Sequence, residues 1–163
     1  MPQKKDKKTM AVKAGKGPIL VPVDFSADAE AALVWACRQS ALSGDDILVL
    51  HVVHDPLNAP GFYRRDKKDM LRPMEDVAEQ MMHKFLKRLK DIDCDKKVTK
   101  RVSSKVVAGL PVGKILKVAH KQDAKMIVMG RRGRSKLQDL LVGSKAEHVV
   151  QLSSIPVVIV KAG

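Results

Sequence analysis

Residues 125–152 read KMIVMGRRGRSKLQDLLVGSKAEHVVQL, a stretch that contains an apolar run, a glycine-bearing loop and a helical segment in direct succession. The run Lys125–Met129 is short and apolar, as expected of a strand that is buried on both faces. Residues Ser144–Leu152 are predicted to form the helix that follows the loop. A strand followed by a helix is the repeating unit of α/β folds with a parallel sheet.

The alternation of strand and helix continues over most of the chain. Four other segments have the apolar pattern of a strand: Ile19–Val23, Ile47–Val53, a weaker segment with Val98, Val102 and Val106 on one face, and Pro156–Val160. Helix signals mark three further segments: Ser26 to Gly44, Met74 to Leu89, and a short helix that begins at Pro111. Strands joined by helices require right-handed crossovers, so we predict a doubly wound, Rossmann-like α/β fold, a five-stranded parallel sheet with helices on both faces.

One folded domain with an amino-terminal extension is the organisation that the composition predicts. The chain has 163 residues, of which 45% are hydrophobic. This length and hydrophobic content suffice for one buried core, but the length is too short for two full domains. Residues 1–17 are rich in lysine and contain almost no core-forming residue, so we expect a disordered basic tail there and the domain over residues 18–163. From Pro56 to about Arg72 we expect a long, mobile loop, because proline, asparagine and glycine interrupt any regular pattern.

Charge and composition limit the classes of function. Lysine and arginine number 31 against 18 acidic residues, a net charge of +13, which favours an anionic partner or serves solubility. Aromatic residues make up only 3% of the chain, whereas surfaces for single-stranded nucleic acid stack bases on aromatic rings, so nucleic acid is a possible but second-ranked partner. No apolar run approaches the roughly 20 residues of a membrane-spanning helix. No secretory signal pattern is present, which predicts a cytoplasmic protein.

The two cysteines, Cys37 and Cys94, lie far apart in the sequence. Neither belongs to a CxxC or Cys/His pattern, which argues against a disulfide framework and against a zinc site. We expect two buried or chemically idle thiols.

The loop after Met129 has the spacing G-x-x-G-x9-G-S, with Gly130 and Gly133 followed after nine residues by Gly143 and Ser144. Glycine lets a backbone adopt positive φ and approach a ligand closely, and the free amides at a helix start favour phosphate. Basic side chains add positive charge: Arg131, Arg132, Arg134, Lys136 and Lys145. The segment therefore has the chemistry of a polyphosphate cradle, although it is not a Walker A loop, since no GK[ST] occurs.

Asp24 ends the first predicted strand and is expected to share this site. In doubly wound sheets the ligand lies beyond the carboxyl ends of the strands, where the strand order reverses. The loops after the first and fourth strands are therefore the predicted place for a bound nucleotide.

Four segments give the chain a specific resemblance to the universal stress protein family over roughly residues 17–161: Ile19–Ser26, Leu50–Val52, Met129–Gly133 and Gly143–Ser144. The resemblance implies a nucleotide-binding domain with a five-stranded parallel sheet and, in the ATP-binding branch, this same glycine motif. It also implies a homodimer. Because the resemblance puts Val157–Val160 at an exposed sheet edge, and such an edge invites another chain, we expect the dimer to form through that strand.

The resemblance further implies which residues surround ATP. The expected contacts run from the adenosine to the phosphates: Pro22, Val23, Asp24 and Val52, then Met129 and Gly130, then Arg132, Gly133, Gly143, Ser144, Lys145 and Ala146. Val52 would lie against the adenine and Asp24 toward the base or ribose. Mg²⁺ would be held mainly by phosphate and water, because no D-x-D or other acidic cluster commits protein ligands to it. ATP-binding members often have a small apolar residue where Lys145 stands, and some have threonine where Ala146 stands.

Each of these residues also has a structural interpretation. The three loop glycines can be ordinary turn residues, Asp24 can cap the first helix, and the loop arginines can be solvated. His51, within an apolar strand, is more often a hydrogen-bonded core residue than a ligand, so no histidine is assigned to the site.

The sequence predicts a binding protein rather than an enzyme. No histidine, cysteine or serine sits in an evident triad and no paired carboxylates occur near the loop, so no catalytic residue is assigned. We expect an ATP-binding regulatory or stress-response protein whose output depends on the bound nucleotide. Two alternatives stay open: a slow ATPase in which Asp24 orients water, and a family member without nucleotide that acts through its basic tail.

Overall fold

A computed structural model describes residues 15–54, 74–89, 91, 94–133 and 142–163. Its elements in chain order are β1 (Ile19–Pro22), α1 (Ala27–Ser43), β2 (Ile47–Val53), α2 (Met74–Leu89), α3 (Lys96–Thr99), β3 (Val102–Ala108), α4 (Pro111–Lys121), β4 (Met126–Gly130), α5 (Ser144–Leu152) and β5 (Val157–Val160). Residues 1–14 of the predicted tail, the predicted loop from Pro56 to Arg72, and residues 134–141 within the glycine motif lie outside the described residues.

The strands form one parallel sheet with the order β3-β2-β1-β4-β5. The chain builds the sheet outward from β1 through β2 to β3 and then returns to the other side of β1 with β4. The strand order therefore reverses between β1 and β4, at the centre of the sheet. The doubly wound, five-stranded fold predicted from the sequence is confirmed.

Apolar side chains are buried on both faces of the sheet. On one side, which we name the α1 face, Ile19 shares an apolar cluster with Leu33 of α1 and Phe85 of α2. On the other side, the α5 face, Leu20 shares a cluster with residues of α4 and with Val149 of α5. Successive strand residues point to opposite faces, so a strand covered on both sides needs an uninterrupted apolar run. Each such side chain, when fully buried, stabilises the fold by about 1.5–3 kcal/mol.

The ends of α1 follow the capping rules that predicted them. Ser26 is the N-cap, and its hydroxyl oxygen accepts a hydrogen bond from the Ala29 amide at 3.2 Å. Gly44 ends the helix with φ of 78°, and its amide donates to the Ser40 carbonyl at 2.8 Å. The other predicted elements, apart from the third strand, also agree with the structure to within one residue at each predicted end.

The third strand begins later than predicted. Val98 lies in α3, where it is buried in the cluster of the α1 face, and β3 begins only at Val102. The Asp95 carboxylate caps α3 by accepting from the Lys97 amide at 2.9 Å, and the Arg101 amide donates to the Val98 carbonyl at 2.8 Å, which turns the chain before the strand. The assignment of Val98 to the strand was therefore wrong. Residues i and i+4 share a face in a helix as well as in a strand, so the valine spacing did not distinguish the two.

Lys16 and Gly17, which the sequence assigned to the tail, are hydrogen-bonded to the folded domain. The Gly17 amide donates to the Asp123 carbonyl at 2.7 Å, and the Lys16 amide donates to the Asp123 carboxylate at 3.0 Å. A β-carbon at Gly17 would lie 2.0 Å from the Gln122 carbonyl oxygen, so this approach requires glycine.

Cys37 and Cys94 are both free thiols, but they differ in exposure. Cys37 is buried in α1, whereas Cys94 is half-buried beside the cluster of the α1 face. Burial, and then a hydrogen bond from its side chain to Cys94, raise the pKa of the Cys37 thiol above its usual range. Because the thiolate is the reactive form, we expect iodoacetamide to alkylate Cys94 faster than Cys37 in the folded protein, by on the order of tenfold.

Mass spectrometry of timed samples would show the order of alkylation. In strong denaturant the two thiols should react at similar rates, which serves as the control. Equal rates in the folded protein would contradict the difference in exposure.

Candidate functional site

The candidate site lies at the carboxyl edge of the sheet, where β1 and β4 end side by side. β1 continues into Val23 and Asp24, while β4 ends at Gly130 and continues into residues 131–133. The start of α5 is attached to this loop, because the Gly143 amide donates to the Arg131 carbonyl at 2.8 Å. The structure therefore brings the segment after β1, residues 130–133 of the glycine motif and the start of α5 to one edge.

Asp24 is half-buried, and its two carboxylate oxygens have different neighbours. Oδ1 accepts from the Ser26 amide at 3.1 Å and from the Ser26 hydroxyl. The N-cap of α1 is thus Ser26. Asp24, two residues earlier, does not cap the helix itself but accepts hydrogen bonds from the capping residue. Oδ2 lies toward Gly133, where a β-carbon would be only 2.9 Å away.

Phe25 holds the turn after Asp24 in a conformation that is rare for a residue with a side chain. Its φ is 65°, a region that costs such a residue on the order of 1 kcal/mol. The Phe25 ring centroid lies 4.5 Å from that of His51 and 5.5 Å from that of Phe85. Nδ1 of the buried His51 ring donates a hydrogen bond to the Val23 carbonyl oxygen, 2.8 Å away, because a carbonyl oxygen can only accept. The prediction of His51 as a hydrogen-bonded core residue is confirmed, and its ring helps to fix the turn that presents Asp24.

The three glycines of the motif have different surroundings. Gly133 is exposed. A β-carbon at Gly130 would lie 2.7 Å from the backbone carbonyl carbon of Asp28, so β4 reaches α1 this closely only with glycine. At Gly143 a β-carbon would lie 3.3 Å from the Arg131 carbonyl oxygen, a tight but less severe contact.

Positive φ, one of the two reasons for glycine that the sequence suggested, does not explain the motif. Among the described residues positive φ occurs at Phe25, Gly44, Gly109 and Asp123. That part of the expectation was wrong for Gly130, Gly133 and Gly143. The close approach of β4 to the backbone of α1 explains Gly130, whereas Gly143 has only a tight contact and Gly133 approaches only the side chain of Asp24.

The five apolar side chains among the residues expected along the nucleotide divide between the two faces of the sheet. Val23 belongs to the cluster of the α1 face, whereas Met129, Ala146 and the half-buried Val52 belong to that of the α5 face. Pro22 precedes Val23 in the alternation of the strand and therefore points to the α5 face. Four of these five side chains thus lie on the α5 face of the sheet, and the Val23 side chain lies on the α1 face.

The first turn of α5 presents backbone amides and one basic side chain. Its N-cap is Gly143, which has no side chain to bond the free amides of the helix start. Ser144 and Lys145 are exposed, while Ala146 is buried and offers only its backbone. A helix start of this kind carries a partial positive charge that favours an anion.

The loop arginines 131 and 132 are half-buried rather than fully solvated. The Arg131 amide donates to the Val160 carbonyl at 2.7 Å, and the Arg132 amide donates to Oδ2 of Asp28 at 2.9 Å. The backbone of the loop is therefore fixed against β5 and α1. Arg134 and Lys136 lie outside the described residues.

Asp28 is the residue of this region that the sequence did not reveal. Besides Arg132, it accepts the amide of Ala162 with Oδ1 at 2.9 Å. Acidic residues are common in the first turn of a helix, because their negative charge interacts favourably with the positive end of the helix dipole. This local role accounts for Asp28 in the sequence, so nothing there indicated its two long-range hydrogen bonds.

No helix in the described part of the chain has both the length and the apolar character needed to cross a membrane. The cytoplasmic location expected from the sequence stays a prediction.

A parallel sheet that reverses its order between β1 and β4, covered by helices on both faces, defines the class of doubly wound α/β domains, whose ligands bind at the carboxyl edge where the order reverses. Residues 17–161 match the universal stress protein family, and the chain belongs to that family. It is 27% identical over 157 residues to universal stress protein MJ0577 of Methanocaldococcus jannaschii, an alignment that covers 88% of this chain and 93% of that protein. The solved structure of MJ0577 superimposes with a TM-score of 0.68 at 28% identity, over 90% of this chain and 96% of that one.

Two other solved universal stress proteins share the fold and carry nucleotides. One, in complex with cAMP, has a TM-score of 0.63 at 19% identity and covers 93% of this chain and 100% of its own. The other, from Archaeoglobus fulgidus in complex with dAMP, has a TM-score of 0.59 at 23% identity and covers 89% of this chain and 98% of its own. At these identities the likeness to this chain is one of fold.

Proposed function

We propose that the protein binds ATP at the edge between β1 and β4 and that its regulatory output depends on whether the nucleotide is bound. The approach of Gly133 to Oδ2 of Asp24 supports this most directly, because it sets an acceptor carboxylate beside the glycine motif. The carboxylate suits the donors of a ribose or base, and the backbone amides with nearby basic side chains suit phosphates. Complementary chemistry for both halves of a nucleotide therefore lies at adjacent positions.

The proposal assigns a part of the nucleotide to each predicted residue. Pro22, Val23 and Val52 take the adenine side, Asp24 takes the ribose or base, Met129 and Gly130 lie beside the ribose, and Arg132, Gly133, Gly143, Ser144, Lys145 and Ala146 follow the phosphates. Ala146 can contribute only its amide, because its methyl group is buried. The described residues hold no group of three or more His, Cys, Asp or Glu that could bind a metal, so Mg²⁺ in this scheme is held by phosphate oxygens and water.

The nucleotide complexes of related proteins support an adenine nucleotide. cAMP and dAMP both contain adenine, a ribose-type sugar and one phosphate. ATP adds two phosphates, for which this chain supplies Lys145 and the arginines of the loop. Competition among AMP, ADP and ATP would therefore show whether the basic residues select the longer phosphate chain.

Asp24→Asn is the informative variant for calorimetric titration with ATP and Mg²⁺. Asparagine keeps one oxygen for the Ser26 amide but loses the negative charge and the second acceptor. We expect ATP affinity to fall by about tenfold, the loss of one charge-assisted hydrogen bond. Asp46→Asn removes the same charge from an exposed residue at the opposite end of β2 and should leave the affinity within about twofold. A wild type that shows no binding at millimolar ATP would contradict the proposal.

Phosphate release from the same samples separates binding from hydrolysis. A binding protein keeps its ATP intact over the time of the titration. Multiple turnovers that are lost in Asp24→Ala would instead favour the slow ATPase.

We also propose a homodimer through β5, which lies at the edge of the sheet with half-buried residues throughout. The carbonyls of Pro156 and Val160 accept from the amides of Ile127 and Arg131 at 2.8 and 2.7 Å. In a parallel pair every second residue bonds to the neighbouring strand, so the backbone of Val158 also faces β4.

The backbone groups of Val157 and Ile159 consequently face away from β4. They can pair with the same groups of a second copy across a two-fold axis, which would join two five-stranded sheets. Such pairing also covers an edge that otherwise favours aggregation.

A further inference from the structure

Asp28 connects the glycine motif to the chain segment that follows β5. Its two oxygens accept one amide each, from Arg132 after β4 and from Ala162 after β5, both at 2.9 Å. The neighbouring Arg131 amide donates to the Val160 carbonyl at 2.7 Å. The loop is thus attached at adjacent residues to the first turn of α1 and to the carboxyl end of the edge strand.

The position requires a carboxylate. Asparagine has only one acceptor oxygen, so its amide nitrogen would face one of the two N–H donors. The start of α1 also favours a negative charge, because the helix dipole is positive there. Gly130 lets the loop begin directly beside this residue, since a β-carbon at Gly130 would lie 2.8 Å from Cβ of Asp28.

We infer that Asp28 is a positioning residue that links occupancy of the nucleotide site to the segment after β5. The inference rests on the function proposed above. One carboxylate accepts hydrogen bonds from both amides. If nucleotide binding displaces the backbone at Arg132, the Asp28 side chain moves with it and displaces the backbone at Ala162, two residues beyond β5. The coupling is reciprocal, and a change at Ala162 therefore changes the affinity for the nucleotide.

Ala162→Pro tests the link without altering any residue assigned to the nucleotide. Proline has no amide hydrogen, so Oδ1 of Asp28 loses its donor while Arg132 keeps its own hydrogen bond. We expect ATP affinity to fall by about fivefold in Ala162→Pro and in Asp28→Asn, which keeps only one of the two hydrogen bonds. The matched control is Glu30→Gln in the same turn of α1, because the Glu30 carboxylate lies 3.8 Å from the Arg88 guanidinium and has no hydrogen bond to the described residues of the loop. Its affinity should equal that of the wild type.

Hydrogen exchange of the Ala162 amide, measured by NMR with and without ATP, distinguishes coupling from a purely structural role of Asp28, because only coupling makes the exchange rate respond to ATP. ATP should slow exchange of the Ala162 amide in the wild type, and this response should vanish in Asp28→Ala. A wild type that binds ATP while Ala162→Pro keeps full affinity, or while the Ala162 amide does not respond, would overturn the inference and leave the proposed function standing. A wild type that does not bind ATP at millimolar concentration would overturn both.

Discussion

Gly130→Ala is expected to lower the free energy of unfolding by about 3 kcal/mol. The added β-carbon would lie 2.7 Å from the carbonyl carbon of Asp28 and 2.9 Å from the amide nitrogen of Ala29. Both are backbone atoms in the first turn of α1, so no change of rotamer relieves the contact and β4 must separate from α1. Denaturant titration measures the loss directly, and the melting temperature should fall by roughly 6–12 °C.

Gly113→Ala is the matched control for this effect. Gly113 lies in α4, and a β-carbon there would meet no atom within 4 Å. Alanine is favoured over glycine in a helix, so the same chemical change should stabilise the protein by about 0.5–1 kcal/mol. If Gly130→Ala unfolded within 0.5 kcal/mol of the wild type, the close approach of β4 and α1 would not be what requires the glycine.

Gly130 shows that a glycine of a predicted ligand motif can have a packing role that the spacing of the motif does not indicate. The spacing of the glycines pointed to a ligand, and the structure places Gly133 beside Asp24 at the predicted edge. Gly130, however, faces the backbone of α1, a contact between segments about a hundred positions apart. A motif residue can therefore serve the packing of the fold that positions the site as well as any ligand at it.

The fold itself was predictable because its local and long-range requirements coincide. A strand covered on both faces needs an uninterrupted apolar run, and Ile47–Val53 is one. The ends of α1 depend on Ser26 and Gly44, whose preferences are intrinsic to the residue types. Each of these signals can be read within a few residues of the element that it specifies.

The remaining features depend on partners that the local sequence does not show. Asp28 has the pattern of a first-turn acidic residue, and its bonds to Arg132 and Ala162 exist only once the sheet has formed. Phe25 has positive φ and packs against rings from β2 and α2, a combination that no turn rule predicts for phenylalanine. The sequence thus predicted the edge where the candidate site lies, but it did not indicate the residues that hold the loops of that edge in place. Which of the predicted residues contact a nucleotide stays a prediction.

Ile159→Pro is expected to convert the proposed dimer into a folded monomer. The Ile159 amide faces away from β4, so proline removes a donor that only a second copy would use. Each copy loses one hydrogen bond, a combined loss of about 3 kcal/mol that raises the dimer dissociation constant on the order of 100-fold. Sedimentation velocity gives the dissociation constant, and circular dichroism shows whether the variant is folded.

Two further variants separate the loss of this amide from other effects of the substitution. Ile159→Ala removes the side chain, which packs with the cluster of the α5 face, but keeps the amide, so it should lower stability and leave the dimer intact. Val158→Pro removes an amide that bonds to β4 within one copy and should destabilise the fold itself. A wild type that is monomeric at micromolar concentration would rule out pairing through β5. A dimer that survives in Ile159→Pro would place the contact elsewhere on the surface.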